Sequence, residues 1–145
     1  MKLFKFFLII LIISLLIAGC SDDNEHIDTG FIPVGEWIDQ FDSYTITKDF
    51  VDYLMFDMVL KGSIEKAVDF TNNSGVLIIK ITEATYHTTG KYTGIYYTDY
   101  TNTTIKMATA FAEGNVEADT LTAAMNLFTV DNAGTHVNYW GTYTK

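Results

Sequence analysis

The segment Ile64-Glu65-Lys66-Ala67-Val68-Asp69-Phe70-Thr71-Asn72-Asn73-Ser74-Gly75-Val76-Leu77-Ile78-Ile79-Lys80-Ile81-Thr82 decides the fold class. Its first half has the period of a strand, with Ile64, Lys66, Val68 and Phe70 on one face and Glu65, Ala67 and Asp69 on the other. Asn72-Asn73-Ser74-Gly75 is a turn signal, because Asn and Gly tolerate the backbone angles of a tight reversal. The run from Val76 to Ile81 is apolar on both faces near its start, as a strand covered on both sides would be. Two such strands around such a turn make a β-hairpin.

The same pattern continues in both directions. Tyr44-Thr45-Ile46-Thr47 alternates, and Phe50-Val51-Asp52-Tyr53-Leu54 reads as a strand with acids on its solvent face. Thr89-Gly90 breaks the chain before a strand from Tyr92 to Tyr100, and Tyr100-Thr101-Asn102 turns it into another from Thr103 to Phe111. Between Ala118 and Phe128 the period changes. Leu121, Met125 and Phe128 fall at helical spacing behind a possible cap at Asp119, which predicts one short helix. Asp131-Asn132-Ala133-Gly134 then predicts a turn into a last strand, His136 to Thr144. Seven or so antiparallel strands with one short helix before the last predict a mainly β domain, a small antiparallel β-barrel or a sandwich, over residues 31–145.

The amino terminus has a different character. Lys2 and Lys5 precede an apolar run from Phe6 to Ala18, which spans only about 20 Å as a helix, short of a ~30 Å hydrocarbon core. It reads as a signal peptide, residues 1–19. The ending Leu16-Ile17-Ala18-Gly19-Cys20 resembles the bacterial lipobox, which implies that Cys20 is lipidated and becomes the first residue of the mature chain. Cys20 is the only cysteine, so a lipidated Cys20 leaves no thiol for disulfide, nucleophilic or metal chemistry. Two or more acyl chains would hold the protein on a membrane, at about 0.8 kcal/mol per buried methylene. Residues 20–30 are acidic with a single isoleucine, and read as the lipidated cysteine and a flexible tether. The place expected is the bacterial cell envelope, the outer membrane or cell surface.

Loss of residues 1–19 shifts the formal charge from −9 to −11, with seven lysines against 18 Asp and Glu. The chain contains no arginine, the usual bidentate reader of phosphate and guanine, so nucleic acid is not an expected partner.

Gly35-Glu36-Trp37, followed by a β segment, resembles the start of the first strand in the calycins, the lipocalins and their relatives. The resemblance implies a barrel with one end closed by Trp37 and a helix before a late strand. The arginine that packs on that tryptophan in those families has no counterpart here. Together with Ser74 to Ile79, Gly90 to Tyr97 and Tyr139 to Lys145, the motif also resembles a family of small, uncharacterised spirochaete surface lipoproteins. That resemblance bears on location and fold and implies no activity.

Residues with chemistry to offer are sparse. His26, His87 and His136 have no His or Cys partner at ligand spacing, so no metal or other cofactor is expected. Asp49, Asp52 and Asp57 lack the glycine-centred calcium-loop pattern. Ser21, Ser43, Ser63 and Ser74 sit in no nucleophile turn, and no catalytic residue is assigned. Paired carboxylates leave a hydrolase as an open reading. The candidate ligand residues are aromatic. Strand alternation puts Tyr92, Tyr96 and Tyr100 on one face with Gly94 and Thr98, and Trp37 joins the candidates because the calycin resemblance implies that it closes a barrel end. Such a row could line a pocket for an apolar or aromatic molecule, form a surface patch for a protein partner, or pack across the sheet on Met107, Phe111 or Tyr139. The functional expectation is a membrane-anchored envelope lipoprotein with a non-enzymatic binding or interaction module. The alternative is a structural or partner-binding surface lipoprotein without a pocket.

Overall fold

The computed structural model describes residues 30–111, 114 and 116–145. The signal peptide, Cys20 and nearly all of the expected tether lie outside these residues. The protein forms a closed barrel of eight antiparallel strands in sequence order, which settles the choice between barrel and sandwich. The strands are β1 (Gly35–Ile38), β2 (Asp42–Ile46), β3 (Phe50–Met55), β4 (Met58–Thr71), β5 (Ser74–Ala84), β6 (Tyr92–Thr98), β7 (Thr104–Thr109) and β8 (Gly141–Thr144). Two helices, α1 (Leu121–Leu127) and α2 (Val130–His136), stand between β7 and β8. The pairing of β1 with β8, through Ile38 and Thr144, closes the cylinder.

Each strand sends alternate side chains inward. Trp37, Tyr44, Val51, Leu60, Leu77, Ile95, Met107 and Tyr143, one from each strand, belong to a single buried interior cluster. A fully buried side chain of this kind stabilises the fold by about 1.5–3 kcal/mol. The expectation that β5 is covered on both faces holds: Val76, Leu77, Ile78 and Ile79 are all fully buried. Leu77 and Ile79 fill the barrel, whereas Val76 and Ile78 form an outer cluster with Tyr96, Ala124 and Phe128.

The hairpin that announced the fold is present, β4 pairing with β5 around Asn72 and Asn73. Ser74 and Gly75 already lie in the strand. A side chain at Gly75 would stand 2.5 Å from the Val68 carbonyl oxygen and 2.6 Å from the Tyr97 hydroxyl, so glycine here serves packing. The face assignment of β4 needs correcting. A register shift between Ile64 and Lys66 inserts an extra residue, leaving Ile64 on the interior cluster while Val68 and Phe70 pack on the outer one. A bulge of this kind reverses the alternation and bends a long strand around a barrel.

The region before β8 also differs from expectation, with two helices in place of one. The cap of α1 is Thr120, whose hydroxyl accepts from the Ala123 amide at 3.2 Å, and not Asp119. The segment expected to turn at Asp131–Gly134 is α2. Its cap is Thr129, and the Asp131 carboxylate in the first turn suits the helix dipole. The last strand is accordingly shorter than expected. Seven-residue helices are marginal in isolation, and α1 is held by packing. Ala124 and Phe128 are buried against the outer face of β5 and β6. Gly94 makes the seat for the Phe128 ring, since a Cβ there would lie 2.8 Å from it.

One barrel end is closed. Trp37 is fully buried, and its indole N–H donates to the Pro33 carbonyl oxygen at 2.8 Å. Tyr100 meets it edge-on at 5.9 Å, and Phe31 covers Tyr100 at 4.6 Å. The Lys145 ammonium lies 4.8 Å from the Trp37 ring centre and donates to the Val34 carbonyl oxygen. Lys145, the last residue of the chain, thus packs on the buried tryptophan. The incoming chain is pinned at the same end, by the Gly30 amide on the Ala67 carbonyl oxygen and the Phe31 amide on Asp69.

Candidate functional site

Strand parity puts the β1–β2, β3–β4 and β5–β6 turns and the helical β7–β8 connection at the end opposite Trp37. A cavity of about 870 Å³ opens there, within the usual range for small-molecule sites. Its inner wall carries Tyr44, Tyr53, Leu60, Met107 and Tyr143. Met55 and Met58, the residues flanking the β3–β4 turn, add flexible thioethers.

The rim is aromatic. Phe41, Phe56, Tyr86 and Tyr139 line the mouth and are 58%, 73%, 66% and 78% exposed. Phe111 joins them. These rings come from all four connections at this end, so an exposed apolar collar surrounds the opening. Contiguous exposed apolar patches of this kind are uncommon on protein surfaces.

The polar groups are few and fixed. The Asp42 carboxylate accepts hydrogen bonds from the hydroxyls of Tyr53 and Tyr143, each at 2.9 Å and both on Oδ2. Tyr44 is stacked between them, 4.4 Å from the Tyr53 ring and 5.1 Å edge-on from Tyr143. Burial, and then hydrogen bonding to Asp42, push the Tyr53 and Tyr143 phenols well above their ordinary range. Burial also raises Tyr44, with Tyr143, Tyr53 and Asp42 adding to it. Asp39, the other carboxylate of the lining, accepts from the Phe41 amide at 3.1 Å and shapes the β1–β2 turn. The two acids that share this mouth are thus engaged in holding a turn and a tyrosine cluster.

His87 stands at the side of the cavity in the β5–β6 loop. Its Nδ1 is 3.2 Å from Glu117 Oε1, which also accepts from the Thr88 amide at 2.6 Å. Burial holds the His87 pKa below its usual value, against the opposing pull of Glu117. Burial would raise Glu117, but the Thr88 hydrogen bonds and His87 outweigh it, and its pKa is lowered. This clasp ties the loop carrying Tyr86 to the connection before α1. Among the described residues no three His, Cys, Asp or Glu side chains group as a metal site.

None of Trp37, Tyr92, Tyr96 and Tyr100 lines this cavity. Trp37 closes the far end. Tyr92 and Tyr96 face outward into the cluster beneath the helices, where burial pushes the Tyr96 phenol up to about 12. Tyr100 does not share their face: Asp99 has a φ of 53°, which breaks the alternation, and Tyr100 packs with the interior cluster at the closed end. The tyrosine row is therefore divided between two packing roles, and the inward residues of β6 are Ile95 and Tyr97. Sequence reading missed the collar. Its available signal was the placing of Phe41, Phe56 and Tyr86 next to turn residues, where polar side chains are usual.

The fold and the cavity together define a small closed antiparallel barrel with an apolar chamber open at one end. No family model, curated protein or solved structure matches the chain.

Proposed function

We propose that this protein is a lipid-anchored, non-enzymatic binding protein of the bacterial envelope whose barrel accepts a small apolar or aromatic molecule. The observation carrying this reading is the chamber, about 870 Å³, lined by tyrosine, methionine and leucine. A barrel of eight strands has an interior just wide enough either to be filled by its own side chains or to hold one small ligand. Here the half of the interior around Trp37 is filled and the other half is open.

The anchor fits the same geometry. Residue 30 reaches the barrel at the closed end, so a chain tethered through acylated Cys20 presents its mouth away from the attachment point. A ten-residue tether of this composition typically reaches some 15–20 Å. Native mass spectrometry of the mildly purified chain tests the binding role. A retained mass of a few hundred daltons, lost on denaturation, is expected. A bare protein mass, with no thermal shift against lipids or aromatic compounds, would overturn it. Metabolic labelling with a tagged palmitate tests the anchor separately: label on the natural chain and none on Cys20→Ser is the expected result.

A further inference from the structure

We propose that the molecule this chamber accepts is an organic cation, an amine or quaternary ammonium group carried on an alkyl or aromatic body. The proposal rests on the binding role above and deepens it to a ligand class.

The charges of the described lining are one-sided. Asp39 and Asp42 contribute carboxylates, while no lysine lines the chamber and the chain has no arginine. The lysines on neighbouring surfaces are engaged elsewhere. Lys91 pairs with Asp119 at 3.3 Å, and Lys61 with Asp52 and Glu83 at 3.5 and 3.4 Å. The one basic group in the lining, His87, is turned to Glu117.

The walls and rim supply the second half of the chemistry. Tyr44, Tyr53 and Tyr143 line the chamber as a ring cluster around the Asp42 carboxylate, and Phe41 and Phe56 approach each other at the rim at 6.2 Å between centroids. Aromatic faces attract a cation through the ring quadrupole by about 0.5–2 kcal/mol, more as water is excluded. A carboxylate among such rings adds direct Coulomb attraction. Neither feature helps an anion: a fatty-acid head group would meet two like charges and, among the described lining residues, no lysine. The tyrosines already register this field. Burial is the first cause that raises the phenols of Tyr44, Tyr53 and Tyr143; Asp42 adds to it at all three and Asp39 at the latter two. An added negative charge would meet the same opposition.

The test compares three probes with one body: 4-phenylbutyltrimethylammonium, 4-phenylbutan-1-ol and 4-phenylbutanoate. Their affinities for the full chain are measured by calorimetry at about 0.15 M salt, where the Debye length is about 8 Å and the general acidity of the surface is screened. The cation is expected to bind roughly tenfold or more tighter than the carboxylate, with the alcohol between them. Asp42→Asn and Asp39→Asn should each shrink that ratio severalfold. Asp99→Asn removes the same charge at the closed end, where Asp99 pairs with Lys106, and should leave it unchanged. Equal or tighter binding of the carboxylate overturns the cation proposal and leaves the chamber reading intact. So does an Asp99→Asn effect as large as that of Asp42→Asn. Failure of all three probes to bind, with a bare native mass, overturns both.

Discussion

At the scale of single residues, Phe56 is the side chain least explained by folding alone. It is the first of two residues turning β3 into β4, with a φ of 55°, and its ring is 73% exposed. Hairpins favour glycine or asparagine at such positions, and a side chain in the left-handed region costs about 1–2 kcal/mol. Burial gives little back, so the ring is best explained by what it does at the chamber mouth beside Phe41. Phe56→Gly is therefore expected to raise stability by about 1 kcal/mol in denaturant unfolding while weakening binding of a phenylalkyl probe severalfold. A destabilised variant with unchanged affinity would show that the ring serves the fold. Gly94 illustrates the converse case, a strand residue whose missing side chain is filled by the Phe128 ring. Phe56 left a signal in the sequence, a phenylalanine where turns usually carry polar residues, whereas Gly94 was opaque, because a glycine in a strand acquires meaning only from what stands opposite it.

At the scale of elements, the β5–β6 loop is held by the clasp of His87 and Thr88 on Glu117, and this gives it a pH dependence of known sign. His87 has a folded pKa below its usual value near 6.5, so its neutral form favours the fold and its contribution is lost as pH falls below about 6.5. Glu117 also has a lowered folded pKa, and its contribution, present above the usual carboxylate range, is lost as pH falls through the folded value. Both act in the same direction. The thermal midpoint should fall as pH is taken from about 7 towards 4, and Glu117→Gln should speed hydrogen exchange at the Thr88 amide even at neutral pH. A midpoint insensitive to acid, or an unchanged Thr88 exchange rate in the variant, would contradict the clasp. The strands flanking Asn72-Asn73 were legible because apolar alternation and turn chemistry are local signals. The β4 bulge and α2 were not. The bulge is dictated by barrel closure, and α2 depends on the Thr129 cap and on the packing of Ala133 against the outer cluster, which outweigh the turn propensity of Asp131-Asn132-Ala133-Gly134.

At the scale of the whole molecule, the barrel has two unlike ends. At one, Trp37, Tyr100, Phe31 and Lys145 form a plug that also receives the incoming chain. At the other, an aromatic collar surrounds an open chamber with two carboxylates and no lysine in its described lining. Gly35-Glu36-Trp37 pointed to the plug through its calycin resemblance, which implied a barrel end closed by Trp37; strand periodicity alone did not. The chamber could not be read in this way, because its lining comes from five strands and four connections that only closure brings together. Of the five methionines, Met55, Met58 and Met107 line the chamber, while Met125 lies on the exposed side of α1 outside it. Methyl NMR of the ¹³C-methionine-labelled chain, titrated with 4-phenylbutan-1-ol or its trimethylammonium analogue, therefore tests the central claim most directly. Saturable shifts are expected at Met55, Met58 and Met107 with Met125 unmoved; three unmoved chamber methyls, or shifts confined to Met125, would show that the chamber does not take the probe.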